Sequence, residues 1–338
     1  MSESEESAAQ VLPRLVDGYQ ISQAIHVAAT LGIADLLADG PRSSDDLATV
    51  TGTHPRSLYR LLRALASVGV FHEESGRRFS VTPVGDGLRS DTADSLHGWA
   101  AFVGRPYYWD AWAHLLQSVQ TGENAFRTLH GASIWEYRAE RPDESAVFDR
   151  AMTSLTGRIN GSLLEAFDFG RFGTVVDVGG GRGALLAAIL SAHPGTRGVL
   201  FDQPHVVFEA QPGLEAAGVA ERCLMVGGSF FEAVPEGRDA YVLKSIIHDW
   251  EAEEAVAILR TCRRAVPSRG AVLVIERLLG PPNEDSQTKF SDLNMLVSPG
   301  GQERTIEEFE ALFEAAGFRL AQTTPTASGF HVIEATPA

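Results

Sequence analysis

Residues 175–186 read VVDVGGGRGALL, and this stretch decides the fold. Val175 and Val176 are consecutive and β-branched, as in a strand buried on both faces. Gly179, Gly181 and Gly183 then permit a tight turn and a close backbone approach by a ligand. Ala184 opens an apolar helical run, ALLAAILSAH, whose first N–H groups would face that ligand. Strand, glycine loop and helix together make the opening unit of a doubly wound sheet.

The segments downstream repeat the alternation. GVLFDQP, CLMVGGSFF, DAYVLKSI and AVLVIERLL read as strands, and EEAVAILRTCRRAV and TIEEFEALFEAAGF as helices. RLAQTTP and FHVIEAT, joined by TASG, read as a closing antiparallel hairpin. The pattern predicts an α/β fold with a mostly parallel sheet.

Upstream of the glycines the period is helical. Leu12, Leu15, Val16, Tyr19, Ile25, Ala29, Ile33, Leu36 and Leu37 recur at that spacing until Gly40-Pro41 stops it. SSDDLATVTG reads as a short helix capped by Ser43 or Ser44. HPRSLYRLLRALASVGVF follows, with Leu58, Leu61, Leu62, Leu65 and Val68 on one face. HEESGRRFSVTPVG then reads as a hairpin turning at Ser75-Gly76. Helix, turn, helix and hairpin make a winged-helix pattern. Residues 97–168 read as helices carrying many aromatics, among them Trp99, Phe102, Tyr108, Trp112, Phe126, Trp135 and Phe148. Some must be core, and aromatic walls also suit a flat ring ligand. The expected organisation is 11–96 winged helix, 97–168 helical linker contributing to a substrate pocket, and 169–338 Rossmann-like domain. Residues up to about 10 are expected to be disordered.

Composition narrows the function. A chain of 338 residues exceeds one ordinary core. Its net charge of −16 opposes binding to phosphate backbones. Arg56, Arg60 and Arg63 share a helix face and raise a DNA-binding reading, against that field. Two cysteines, Cys223 and Cys262, make neither a disulfide framework nor a metal motif. No carboxylate cluster stands at a spacing suited to a divalent cation, so no metal is expected. The acidic N-terminus does not resemble a signal peptide. No apolar stretch reaches the roughly 18 residues of a membrane span. The expectation is a cytoplasmic protein with neither membrane nor nucleic-acid partners.

The glycines alone do not separate a nicotinamide dinucleotide from another nucleoside. Gly179-x-Gly181-x-x-Ala184 with Asp202 downstream fits the dinucleotide pattern. Asp177 argues otherwise, because a carboxylate at the strand end repels a pyrophosphate and attracts an ammonium. A ligand with an amino-acid end near Asp177 and a ribose at Asp202 is S-adenosylmethionine.

These motifs together resemble the S-adenosylmethionine-dependent small-molecule O-methyltransferases: the plant caffeate and flavonoid enzymes and bacterial relatives that tailor antibiotics such as mitomycins and anthracyclines. DVGGGRG, FDQPHV, GGSFF, LKSIIHDW, LVIERLL and GGQERT occur in the family's order, and the likeness spans nearly the whole chain from Val11. It implies a Rossmann-like methyltransferase domain, an N-terminal winged-helix dimerisation domain, a homodimer and a small aromatic substrate. The cofactor residues it implies are Gly179, Gly181, Asp202, Gln203, Gly228, Ser229, Phe230 and Lys244. Plant members have aspartate and methionine where this chain has Ser229 and Phe230. Serine can still hydrogen-bond the adenine amino group, and phenylalanine can stack on the ring.

The resemblance makes His248 the general base, flanked by Glu276 and Glu303, with S-adenosylhomocysteine as product. It also places Phe148, Met152, Asn294 and Met295 near the substrate. Imidazole is the natural base near neutral pH. With a phenol pKa of about 10 and a histidine pKa of about 6.5, full proton transfer costs roughly 5 kcal/mol. Asp249 is expected to cap the helix that follows. Relatives that bind the cofactor but hydroxylate, decarboxylate or cyclise tend to have altered this histidine, which this chain keeps.

Overall fold

The computed structural model describes residues 8–338 apart from 93 and 94. Residues 1–7, expected to be disordered, lie outside the described residues, and a helix already begins at Ala8. The described residues group into two compact units. One runs to Trp109 and includes Ala146–Arg158; the other comprises Asp110–Ser145 and Ile159–Ala338.

In the first unit the helical run from Val11 to Ala38 is three helices, Ala8–Val16, Gly18–Thr30 and Ile33–Leu36. The last break falls at Gly32, in the left-handed region. Ser43 is the N-cap of helix Ser44–Thr51, its hydroxyl accepting the Asp46 N–H at 3.1 Å. Helix Pro55–Ser67 buries Leu58, Leu62 and Leu65. Val68 does not join that face: it lies one residue past the helix and is 47% exposed.

The hairpin is β2 (Phe71–Glu74) and β3 (Arg78–Val81), and β1 (Arg42–Ser43) pairs with β3 in the order β1-β3-β2. The turn takes three residues, since Glu74 pairs with Arg78, and Gly76 and Arg77 both have positive φ. Two residues of β1 are too few to leave a period in the sequence. Phe71 and Phe79 close this core against Leu62 and Leu65.

The second unit carries a seven-stranded sheet. Its strands are β4 (Thr174–Val178), β5 (Arg197–Asp202), β6 (Cys223–Gly227), β7 (Ala240–Lys244), β8 (Ala271–Arg277), β9 (Phe318–Pro325) and β10 (Phe330–Pro337). Their order is β6-β5-β4-β7-β8-β10-β9. The first five are parallel, and β10 pairs antiparallel with β8 and β9. The expected Rossmann-like sheet with a closing hairpin is therefore present.

Alternate residues serve alternate faces. Val176, Tyr241, Leu243 and Val274 pack with Ile258, Phe309 and Phe313 on one side. Val175, Leu200, Val242 and Ile275 pack with Leu186 and Ile189 on the other. The chain leaves β4 toward β5 on one side and returns to β7 on the other. That reversal opens a crevice at the strands' carboxyl ends, where open α/β folds place ligands. Among the described residues no helix is long and apolar enough to cross a membrane.

Candidate active site

β4 ends at the glycine loop. Gly179, Gly181 and Gly183 all have positive φ, a region that glycine adopts without steric cost. The Gly179 N–H donates to the Phe201 carbonyl at 2.8 Å, and the Gly181 N–H to Asp202 Oδ2 at 2.8 Å. Asp202 Oδ1 accepts the Gln203 N–H at 2.6 Å, so this carboxylate braces the loop through both oxygens. A Cβ on Gly179 would meet Ile246 at 2.5 Å and Phe230 at 3.6 Å, whereas one on Gly181 would meet nothing within 4 Å. The loop is thus walled on one side and open on the other.

Asp177 lies beneath this loop. It is 2% exposed, and a Cβ on Gly180 would sit 2.6 Å from its carboxyl. Its Oδ2 has no hydrogen-bond partner. Burial pushes its pKa up to about 7, against the pull of Lys244. Lys244, at the end of β7, is itself lowered by burial and held against that by Glu276, Asp177 and Asp249. It stands electrostatically between the glycine loop and the histidine.

Beyond β6, the Gly228 N–H donates to the Asp202 carbonyl at 3.0 Å, and the Ser229 hydroxyl accepts the Phe231 N–H at 3.3 Å. Phe230 lies edge-on to Trp250 with centroids 6.0 Å apart, and Phe231 does so at 4.7 Å. Trp135 stacks on Trp250 at 6.3 Å, with the Arg138 guanidinium over its ring. Trp250 therefore ties the segment after β6 to the segment before residue 145.

His248 sits on a 3-10 turn, Ile247–Asp249, entered through Ser245 at φ 54°. A non-glycine residue in that region stores about 1–3 kcal/mol of strain. Two buried charges hold the turn. Glu276, fully buried on β8, accepts the N–H groups of Ile246, Ile247 and His248 at 3.0, 3.0 and 3.3 Å through one oxygen. Arg304, 1% exposed, donates to the carbonyls of Ile247 at 3.0 Å and Trp250 at 2.7 Å. Gly301 is where the loop docks, since a Cβ there would lie 2.1 Å from the His248 carbonyl oxygen.

Three carboxylates surround the imidazole. Nδ1 lies 2.9 Å from Glu303 Oε1 and 3.4 Å from Glu276 Oε2, and Nε2 lies 3.6 Å from Asp249 Oδ1. Burial disfavours the imidazolium, but the three anions outweigh it and push the His248 pKa up to about 10. Burial likewise pushes Asp249 up to about 6. Burial also raises Glu303, but His248 and the Ser291 hydroxyl overcome it and hold that carboxyl low.

Asp249 is not the expected helix cap. Helix Ala252–Ala265 has Glu251 at its N-cap, and Asp249 is buried beside the imidazole. Nor does sequence spacing reveal that His248, Glu276 and Glu303 offer atoms within 4.8 Å of one another. Three separate strand ends and loops bring them together. The shortest contact within the cluster is His248 Nδ1 to Glu303 Oε1, at 2.9 Å.

The sequence gives no clear signal for helix Ser286–Val297, which lines this region. Its signature is present: Asp285 caps it, accepting the Thr288 N–H at 3.1 Å. Asn294 Oδ1 accepts the Trp112 indole N–H at 3.3 Å, and Met295 is 5% exposed. Phe148 and Met152 lie on residues 146–158, in the first unit, where Phe148 packs against Phe102 at 5.5 Å. Much of the aromatic set is core in the same way: Phe102, Tyr107, Tyr108 and Phe126 are buried.

The chain thus joins a Rossmann-like sheet and a glycine loop braced by Asp202 to a histidine held by carboxylates at the strands' carboxyl ends. Comparison with known proteins gives the family. An O-methyltransferase domain matches residues 112–319, and an O-methyltransferase dimerisation domain matches residues 14–91. The chain is 45% identical to the phenazine O-methyltransferase PhzM of Lysobacter antibioticus, over 97% of this chain and 96% of that one. It is 39% identical to the mitomycin biosynthesis 6-O-methyltransferase of Streptomyces lavendulae, over 96% and 93%. Among solved structures it is similar to the O-methyltransferase NcsB1 from neocarzinostatin biosynthesis, in complex with S-adenosylmethionine and 2-hydroxy-5-methyl naphthoic acid. The TM-score is 0.82 at 33% identity, covering 99% of this chain and 100% of that one. The chain belongs to the O-methyltransferase family and is an enzyme of that class. The non-methylating alternative is not favoured.

Proposed function

We propose that this enzyme transfers a methyl group from S-adenosylmethionine to a phenolic hydroxyl of a multi-ring aromatic metabolite in antibiotic or other secondary metabolism, working as a homodimer. The observation that carries the reading is the imidazole of His248, whose Nδ1 is taken by Glu303, so that Nε2 is the nitrogen left to receive a proton. The neighbour with both S-adenosylmethionine and a naphthoic acid bound supports the substrate class. Exposed Leu15, Val16 and Tyr19 on the first two helices, within the stretch matching the dimerisation domain, support the pairing.

The residues fit the cofactor. The open side of the glycine loop admits a backbone-close ligand, and Asp177 Oδ2 is a buried acceptor without a partner. Asp202 and Gln203 would meet the ribose diol, and Ser229 and Phe230 the adenine, with Gly228 keeping the chain close. Bound S-adenosylmethionine supplies the methyl group and leaves as S-adenosylhomocysteine. As the acceptor oxygen bonds to the methyl carbon, His248 Nε2 takes its proton.

A base raised to about 10 matches a phenol's pKa of about 10, so the roughly 5 kcal/mol expected from ordinary values falls toward zero once the imidazole is neutral. Reaching that neutral state from pH 7 costs about 4 kcal/mol. A nearby cation lowers that cost by opposing the charge on the ring. Alignment of the acceptor and the methyl carbon supplies the rest.

The test is transfer of labelled methyl to a panel of simple phenols, multi-ring phenols and aromatic amines. Turnover on phenols, best on multi-ring ones, is expected. Transfer to amines or thiols alone would overturn the O-methyl assignment for this chain.

A further inference from the structure

Glu303 is gripped by two neighbouring residues of helix Ser286–Val297. The Ser291 hydroxyl donates to Glu303 Oε1 at 2.7 Å, the oxygen that lies 2.9 Å from His248 Nδ1. Asp292 Oδ1 accepts the Glu303 N–H at 2.9 Å. One residue holds the head of the glutamate and the next holds its backbone.

We propose that Ser291 is a positioning residue for methyl transfer, locking Glu303 Oε1 onto His248 Nδ1 so that Nε2 is held as the base; this rests on His248 being that base. The two oxygens of a carboxylate are equivalent until something distinguishes them. The last torsion of glutamate is broad, so rotation exchanges them at little cost. Here the second oxygen, Oε2, is buried and has no partner. The hydroxyl breaks the symmetry by giving Oε1 two hydrogen-bond partners, which fixes the plane of the carboxylate and through it the tautomer and tilt of the ring. Carboxylates hydrogen-bonded to histidine in this way orient the ring and set its basicity.

The same hydroxyl draws charge away from Glu303. Without it the carboxylate faces the imidazole with undivided charge, and the imidazolium is held more tightly. The other charged groups facing the pair are Glu276 and Arg277 from β8, Asp249 from the turn, Arg304 next to Glu303 in the chain and Asp292 from the same helix as Ser291, with Lys244 of β7 acting on Glu276 and Asp249. A substitution at Ser291 alters none of them, so its effect on the pH profile reads the hydroxyl alone. The helix that carries Asn294 and Met295, the expected substrate residues, thereby also sets the geometry of the base.

The experiment compares kcat and KM against pH for wild type, Ser291→Ala, Ser291→Thr, Glu303→Gln and the Ser291→Ala/Glu303→Gln pair, on the best acceptor of the panel. Ser291→Ala should lower kcat about tenfold, the effect of removing one hydrogen bond to a charged group. It should leave acceptor KM within about twofold and move the rising limb to higher pH by roughly half a unit or more. Threonine should restore both, and on the Glu303→Gln background the alanine change should add nothing. An unmoved limb in Ser291→Ala, or the same shift without Glu303, overturns the proposal. Full activity in His248→Ala would instead overturn the base assignment beneath it.

Discussion

The His248 imidazole lies within 3.6 Å of three carboxylates. Glu303 fixes Nδ1, Glu276 spends one oxygen on three backbone amides and turns the other toward the ring, and Asp249 stands beside Nε2. That surplus has a consequence for stability. The folded-state pKa of His248 lies above its ordinary 6.5, at about 10, so the folded chain binds this proton more tightly than the unfolded one. The contribution is fully present below about pH 6.5 and is lost as pH rises through about 10. Thermal scans of wild type should therefore show a melting temperature that falls across that window, and His248→Gln should flatten the fall. An equally steep fall in the variant would place the linked proton elsewhere. Asp249 shows what sequence reading misses at this scale. A polar residue just before a helix reads as a cap, and only the 3-10 turn, which a local pattern does not mark, carries it inward instead.

At the scale of elements, the glycine loop and the His248 turn are built differently. The loop is made by conformation: a residue with a Cβ at Gly179 would need φ near +71° and would strike Ile246. Gly179→Ala should weaken S-adenosylmethionine binding on the order of tenfold or more, from strain of about 1–3 kcal/mol. Gly195→Ala, at a site with open space and ordinary φ, should leave it unchanged. Isothermal titration checks both, and equal affinities for the two would remove the loop from the cofactor site. The turn is made by charge, with Glu276 on its amides and Arg304 on its carbonyls. Positive-φ glycines after a buried strand are legible in a sequence because the demand is local. The Arg304 contact is not, because 54 residues separate it from Trp250 and no period links them. Helix Ser286–Val297 lacks a legible period for a related reason. Its polar Ser291, Asp292 and Asn294 face a site rather than water, which blurs the amphipathic pattern.

Across the whole molecule, the seven-stranded sheet follows the expected order because alternating strand and helix periods with right-handed crossovers leave few topologies. The division of the chain is less legible. Residues 97–168 read as one helical linker, whereas Ala146–Arg158 groups with the N-terminal helices and Asp110–Ser145 with the sheet. A helix running from Pro142 to Ala166 shows one continuous period whichever unit each part joins. The same sheet brings β7, β8 and the segment before Ile306 to one end, where we propose that His248 accepts the proton of the methylated hydroxyl. The most direct measurement is the single-turnover rate of methyl transfer at saturating S-adenosylmethionine and acceptor, for wild type beside His248→Ala. Calorimetry should confirm that both bind the cofactor alike. A rate reduced about 10²-fold or more in the variant is the predicted result. Transfer at the wild-type rate with cofactor bound would contradict it.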